Sequence, residues 1–449
     1  MKISWAFIIA AVPVFGVALY SFVRLDLATG RIKKRLRDIY DSTSYLNEND
    51  TLVLKRIVSD SEKDAGLIRY IKEYSGYFPY QNTDIQYFSL GDDAYPVILS
   101  ELKRAQKYIF IEFFIIDSGG EMWKEIYRIL QNKVKNGVEV KILYDAMGSL
   151  LTTPPDFSAQ LKKAGIQCEP FAPIKPFLST YHNNRDHRKI IVIDGKTAFS
   201  GGINLADEYI NRAKKYGHWK DNAVMVKGDA VKSYTLMFLR MWNSIPGKSV
   251  NYKKYISASA INHKKQETGY ILAFDDAPFR EERITRNMYV DMINSAEDYI
   301  YIMTPYLVLD DGMHRALNHA SKRGVDVRII MPHIPDKKTT FSLSRTYYPD
   351  LISNGVKIYE YTPGFVHAKT TLCDGVSAFV GTVNYDYRSM FLNYECGLYI
   401  SQNPILEDIQ NDFDATFSKS QIFTLEDYYS TSFFMRIVGR VLRVIAPLM

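Results

Sequence analysis

One short pattern occurs twice in this chain, and its two histidines lie 180 positions apart (187 and 367). The first copy is His187-Arg188-Lys189, four residues at 190–193, then Asp194; the second is His367-Ala368-Lys369, four residues at 370–373, then Asp374. Each reads His-x-Lys-(x)4-Asp, and each leads to a small-residue turn ending in Asn: Gly201-Gly202-Ile203-Asn204 and Gly381-Thr382-Val383-Asn384. A repeat with identical internal spacing requires the same local unit to be built twice. The flanks repeat as well. Residues 106–112, a helical stretch with Trp123 and Ile126, and residues 137–143 have counterparts in 297–302, a stretch with Leu317, and 324–330. Each half reads strand, helix, strand, with Gly137 or Gly324 closing the helix. The strands are apolar and rich in Ile and Val, as in sheets covered on both faces. Two α/β domains with a site at their junction follow from this pattern.

The residue types fit phosphoryl transfer. On a strand, His and Lys two apart share a face. An imidazole is a competent nucleophile toward phosphorus. The ammonium groups of Lys189 and Lys369 and the amides of Asn204 and Asn384 suit the non-bridging phosphate oxygens. Two such units give one His to attack and one to protonate the leaving alcohol. The catalytic set expected is therefore His187, Lys189, Asp194, His367, Lys369 and Asp374, with Asn204 and Asn384 on the phosphate. With lysines supplying the charge, no metal and no cofactor are expected. The bland alternative, two satisfied core histidines, does not account for two complete copies in register.

Composition is that of a folded protein: 47% hydrophobic and 24% charged over 449 residues. The net charge of +6 suits an anionic partner, although the excess is largely local. Cys168, Cys373 and Cys396 are scattered, with neither disulfide nor zinc spacing, and fit a reducing compartment.

Residues 3–23 carry no charge over 21 positions, about 31 Å as a helix, which predicts a retained transmembrane span rather than a cleaved signal. Arg24, Arg31, Lys33, Lys34, Arg35 and Arg37 follow it, while Lys2 alone precedes it, so the positive-inside rule places the remainder in the cytoplasm. The expected organisation is a juxtamembrane helical region over 24–75, a first domain over 76–250, a second over 251–430 and an amphipathic tail over 431–449. Residues 246–268 read as the linker. In the tail, Arg436, Arg440 and Arg443 share one helical face. That face reads equally as membrane-bound or as a solvated stripe on a helix packed against the second domain.

The chain resembles the phospholipase D superfamily and, within it, the bacterial cardiolipin synthases. The likeness rests on the paired motif and on Glu112-Phe113-Phe114-Ile115, Tyr144-Asp145 with Gly148-Ser149, Asn184-Arg185-Asp186, Asp207-Glu208-Tyr209 and Trp219-Lys220-Asp221. In the second half it rests on Thr304-Pro305-Tyr306, Pro335-Asp336, Tyr361, Arg388-Ser389 and the closing Ala446-Pro447-Leu448. The resemblance implies two similar phospholipase D-like α/β domains with mixed sheets packed on helices, plus an N-terminal transmembrane helix. It implies a phosphatidyltransferase that joins two phosphatidylglycerols through a phosphohistidine, with His187 as nucleophile and His367 as acid. It also implies carboxylates that orient the imidazoles, Asp221 in the first half and Glu395 in the second. Where relatives carry Gly-Ser after the motif, this chain has Gly202 and Thr382, both small, so activity is expected to survive. Many relatives carry two N-terminal spans, and this chain shows one. The implied partners are phosphatidylglycerol and the membrane but not nucleic acid, and a homo-oligomer is left open. The implied location is a bacterial cell membrane with cytoplasmic catalytic domains. The same residues would serve a phospholipase D using water, or a transferase with another alcohol. An endonuclease or an inactive membrane scaffold fits them less well.

Overall fold

The computed structural model describes residues 6, 9–10, 12–24, 27–47, 51–60, 62–173, 184–256 and 269–446. The first half contains β1 (Thr83–Phe88), β2 (Tyr108–Phe113), β3 (Glu139–Asp145), β4 (Gln167–Phe171), β5 (Lys189–Ile193), β6 (Thr197–Gly201), β7 (His218–Lys220) and β8 (Ala223–Gly228). The second contains β9 (Tyr270–Asp276), β10 (Tyr299–Met303), β11 (Asp326–Pro332), β12 (Lys357–Tyr361), β13 (Gly364–Val366), β14 (Thr370–Cys373), β15 (Ser377–Gly381), β16 (Glu395–Ser401) and β17 (Ser420–Phe423). The first sheet runs β1-β8-β6-β5-β2-β3-β4. The second runs β9-β16-β15-β14-β10-β11-β12, with β17 added at its edge. The order is the same, so the sequence repeat is a structural one.

Both sheets are mixed. β2, β3 and β4 pair in parallel, as do β10, β11 and β12, and the remaining neighbours are antiparallel. The parallel crossovers are the expected helices, Glu121–Lys135 with Trp123 and Ile126, and Asp311–Lys322 with Leu317. Gly137 and Gly324 follow them at φ +81° and +96°, the left-handed region that ends a helix cheaply only for glycine.

The helix Val231–Ser244 (VKSYTLMFLRMWNS) packs against strands of both sheets, and nearly all of its residues are buried. A helix apolar on so much of its circumference is stable only inside the molecule. Within 24–75 the described residues include the helices Leu27–Ser42, Thr51–Asp60 and Glu62–Ser75. They are not a free-standing stalk: Leu36, Tyr40, Ile57, Ile68 and Ile71 are buried in the shared core. Of the expected linker, residues 257–268 lie outside the described residues, and the helix Tyr252–Ile256 buries Tyr255 against Tyr108 and Phe110.

The span expected over 3–23 lies partly outside the described residues. The helix Pro13–Arg24 has 12 residues, about 18 Å at 1.5 Å per residue, and is too short for a hydrocarbon core of about 30 Å. Among the described residues no helix is long and apolar enough to cross a membrane.

The tail forms the helix Phe433–Ile445 and packs on Lys338–Arg345 of the second domain; of the three arginines Arg440 is exposed, while Arg436 and Arg443 turn toward the protein. Arg443 donates to the Thr346 carbonyl and stacks 4.1 Å from the Tyr347 ring, and Arg436 lies beside Tyr428 and Tyr429. Phe433, Phe434, Ile437, Val441 and Val444 face outward and are exposed. The reason is local. A Cβ on Gly439 would sit 2.4 Å from the Ser342 carbonyl, so the helix lies against Lys338–Arg345 backbone to backbone at this point. That approach turns two guanidinium groups onto tyrosine faces, where cation–π contact favours them.

Candidate active site

Lys189 and Lys369 stand at the entrance of equivalent strands, in or beside β5 and β14, with each His two residues earlier. Each His reaches its position on backbone lent by the other half. His187 N–H donates to the Tyr394 carbonyl at 2.9 Å, and Tyr394 N–H donates to the Arg185 carbonyl at 2.8 Å. His367 N–H donates to the Lys220 carbonyl at 2.7 Å, and β13 pairs in parallel with β7 just before it. Tyr394 immediately precedes Glu395, and Lys220 immediately precedes Asp221. The carboxylates therefore cross between the halves. His187 Nδ1 lies 2.9 Å from Glu395 Oε2, and His367 Nδ1 lies 2.6 Å from Asp221 Oδ2. This corrects the expectation that Asp221 orients His187 and Glu395 orients His367.

With Nδ1 held by a carboxylate, each imidazole keeps its proton there and leaves Nε2 as the nitrogen able to react. Lys189 Nζ donates to the His187 carbonyl at 2.6 Å, and Lys369 Nζ donates to the His367 carbonyl. Both lysines are 1% exposed, and each imidazole feels both ammonium charges, so the four side chains form one pocket. Burial is the largest influence on all four. It lowers His187 to about 4 and His367 to about 3, with the lysine charges adding to it against the pull of Glu395 and Asp221. Burial likewise lowers Lys189 to about 8 and Lys369 to about 7, opposed by the two carboxylates. Glu395 and Asp221 are themselves buried, yet both are held below the usual carboxylate range by their imidazole and lysine neighbours.

Thr382 Oγ1 donates to Glu395, and Asn393 Nδ2 donates to the same carboxylate at 3.1 Å. At the equivalent place in the first half, a Cβ on Gly202 would lie 1.9 Å from Asp221 Oδ1. The departure from Gly-Ser thus has a physical basis: one half uses a hydroxyl on the carboxylate, and the other leaves that space to the carboxylate itself. Aromatic rings wall the pocket. Phe114 lies 5.0 Å from the His187 ring, and Tyr209 and Trp219 lie 5.3 and 5.5 Å from that of His367. Sequence reasoning gave none of Thr382, Asn393, Phe114, Tyr209 and Trp219 a part in orienting the pair, although the segments holding Phe114, Tyr209 and Trp219 carried the resemblance.

Asp194 and Asp374 are not in the pocket. They sit at the far ends of their strands, about five residues and roughly 16 Å from the lysines. Asp194 accepts the backbone N–H groups of Gln106, Lys107 and Tyr108, and Asp374 those of Glu297, Asp298 and Tyr299, at 2.7–2.9 Å. Both adopt positive φ, 54° and 51°, before a glycine at 65° and 64°, which is the type I′ hairpin turn that Asp-Gly favours. Their expected catalytic role is corrected to a structural one. Asn204 is also committed: its Oδ1 accepts from Ile115 N–H at 3.0 Å and its Nδ2 donates to the Tyr209 hydroxyl at 2.8 Å. Among the described residues its link to the pocket runs through Tyr209. Asn384 is buried, and its Oδ1 has no hydrogen-bond partner among the described residues.

Residues 98–242 and 289–417 match the family of the cardiolipin synthase phospholipase D-like domain, well over half of the chain. The chain belongs to that family. Cardiolipin synthase 2 of Bacillus anthracis is 33% identical over the whole chain and 86% of its own length, and the cardiolipin synthase of Geobacillus kaustophilus is 31% identical over 100% and 88%. An uncharacterized protein of Streptococcus mutans is 42% identical over 100% of this chain and 96% of its own. Among solved structures, phosphatidylserine synthase of Haemophilus influenzae Rd KW20 superposes with a TM-score of 0.63 at 15% identity, covering 85% of this chain and 98% of that one. That likeness is one of fold.

Proposed function

We propose that this chain is a phosphatidyltransferase that makes cardiolipin from two molecules of phosphatidylglycerol. The observation that carries the reading is the crossed pair of His–carboxylate units around two buried lysines, in a chain about one third identical to cardiolipin synthases along its length. In the first step His187 Nε2 attacks phosphorus, the bond to the glycerol oxygen breaks, and His367 gives that oxygen a proton. Both imidazoles are neutral in the empty pocket, and the arriving phosphodiester anion raises the proton affinity of the imidazole that does not attack. Lys189 and Lys369 hold the non-bridging oxygens as charge builds. In the second step a glycerol hydroxyl of the second phosphatidylglycerol attacks the phosphorus, gives its proton to His367, and the P–N bond breaks. Both histidines return to their starting state.

The proposal places the chain at the bacterial cell membrane, held by residues 3–23 with its catalytic domains on the cytoplasmic side, where acceptor lipid is concentrated and water is reduced. Purified protein in phosphatidylglycerol vesicles should release glycerol and cardiolipin in equal amounts. Glycerol with phosphatidic acid and no cardiolipin would identify water as the acceptor and defeat the reading. Phosphate trapped on His367 instead of His187 would reverse the two roles.

A further inference from the structure

The helices Lys338–Arg345 and Phe433–Ile445 enclose a cavity of about 470 Å³ that holds none of the motif residues. Phe341, Tyr428 and Met435 supply its apolar wall, and Lys338, Arg345 and Arg436 supply cations. Arg345 is already matched, because its guanidinium donates to both oxygens of buried Glu360 at 2.7–3.0 Å. Arg436 differs. It lies 5.8 Å from the rings of Tyr428, Tyr429 and Phe433, and its Nε, shut off from water, has no hydrogen-bond partner among the described residues. A buried donor left in this state costs about 1–3 kcal/mol, so the Arg436 guanidinium on the cavity wall is short of an acceptor. A phosphate oxygen suits an arginine best, and Lys338 at the rim adds a second charge.

The outer side of the same helix decides the rest of the ligand. Phe433, Phe434, Ile437, Val441 and Val444 are 42–70% exposed along one face. A face of this kind beside a cationic cavity fits an amphiphile, with its anion inside and its hydrocarbon outside. A relay of contacts leads from the cavity toward the catalytic pocket. Pro335 lines it, and the next residue, Asp336, accepts from the Tyr306 hydroxyl and acts electrostatically on Tyr209, whose ring lies against His367.

We propose that this cavity is a second phospholipid site: an anionic phospholipid places its phosphate on Arg436 and Lys338, and its acyl chains run along the outward face of the terminal helix. The site seats the second domain on the bilayer with its catalytic mouth toward the lipid. It contains no reacting residue, so it stands apart from the transfer chemistry.

The test uses full-length protein with vesicles of phosphatidylcholine that carry a photoactivatable phosphatidylglycerol, and adducts are mapped by peptide mass spectrometry. Adducts are expected within residues 338–345 and 428–436. Arg436→Gln removes the charge, and Met435→Trp fills the space. Each should lower these adducts about tenfold, the loss of one charged hydrogen bond. Glycerol release from a water-soluble short-chain phosphatidylglycerol should stay within about twofold. Melting temperature checks the fold, and Arg436→Gln carries the test if the bulkier variant unfolds.

Three results would overturn the site: no adducts in these segments, equal labelling by a photoactivatable phosphatidylcholine, or loss of the adducts to millimolar inorganic phosphate, which would make free phosphate the ligand. Short-chain turnover that falls in step with labelling would merge the cavity with the catalytic pocket and overturn it too. Native protein that labels as expected but releases no glycerol would refute the transfer reading and support the lipid site.

Discussion

At the scale of single residues, the decisive contacts are Glu395 on His187 and Asp221 on His367. They imply a crossed response to mutation. In Glu395→Gln the ¹⁵N spectrum of His187 should show a changed tautomer while that of His367 stays as it was, and Asp221→Asn should do the reverse. Each change should lower turnover by about 10³–10⁴-fold, the scale seen when a histidine loses its orienting carboxylate. A response within the same half would contradict the geometry. The pH dependence follows from burial. An unfolded histidine binds its proton near 6.5, whereas His187 and His367 do so at about 4 and about 3. The folded state therefore binds fewer protons between these values. This stabilising contribution is complete above pH 6.5 and is lost as pH falls toward 4 and 3. Replacing both histidines by Gln should flatten the fall of melting temperature over that range. At the alkaline side, Lys369 and Lys189 lose charge in the empty site at about 7 and about 8, so kcat/KM, which reports the free enzyme, should decline through that window.

At the scale of elements, the two hairpins β5–β6 and β14–β15 carry the site without lending it their turns. Asp194 and Asp374 each bind three backbone N–H groups that begin the neighbouring strand, so they fix the register of β2 and β10. Asp194→Ala should cost about 2–4 kcal/mol, measured by urea unfolding, while kcat of the folded fraction changes only a few-fold. A loss of several orders of magnitude in kcat at unchanged stability would return Asp194 to the chemistry. The terminal helix has its own test. Gly439→Leu must push the helix off the Ser342 carbonyl, at a cost of about 1–3 kcal/mol. Limited proteolysis should then cleave near residues 430–446 in the variant and leave the native chain intact.

At the scale of the whole molecule, neither half is complete. Each imidazole lies in one half and its carboxylate in the other, and the buried helix Val231–Ser244 packs on both sheets. A buried network extends this coupling toward the N-terminal helices. Arg188, beside His187, pairs with Glu112, Asp186 and Asp275, and Asp275 also accepts from Tyr40 of the helix Leu27–Ser42. Because both crossed pairs form within one chain, co-expressed His187→Ala and His367→Ala chains should not restore cardiolipin synthesis. Recovery to about a quarter or a half of native activity would mean that chains exchange halves.

Much of this was legible in the sequence, because periodicity and repetition are local properties. The strand–helix–strand units, the glycines that close their helices and the two His-x-Lys faces needed only the spacing of residues. Asp194 and Asp374 were placed in the chemistry because they recur with the motif; the turn each makes with the following glycine, and the three backbone N–H groups each binds, came from the structure. What spacing does not contain is which chain segments meet. Counting along the chain paired each imidazole with a carboxylate of its own half. Only the exchange of backbone between Asp186 and Tyr394, and between β13 and β7, brought each imidazole to the opposite acid. The orientation of the last helix was decided in the same way. Its sequence carries apolar residues and three arginines, but the close approach at Gly439 and the tyrosines beneath the helix determine that Arg436 and Arg443 turn inward while Arg440 stays exposed.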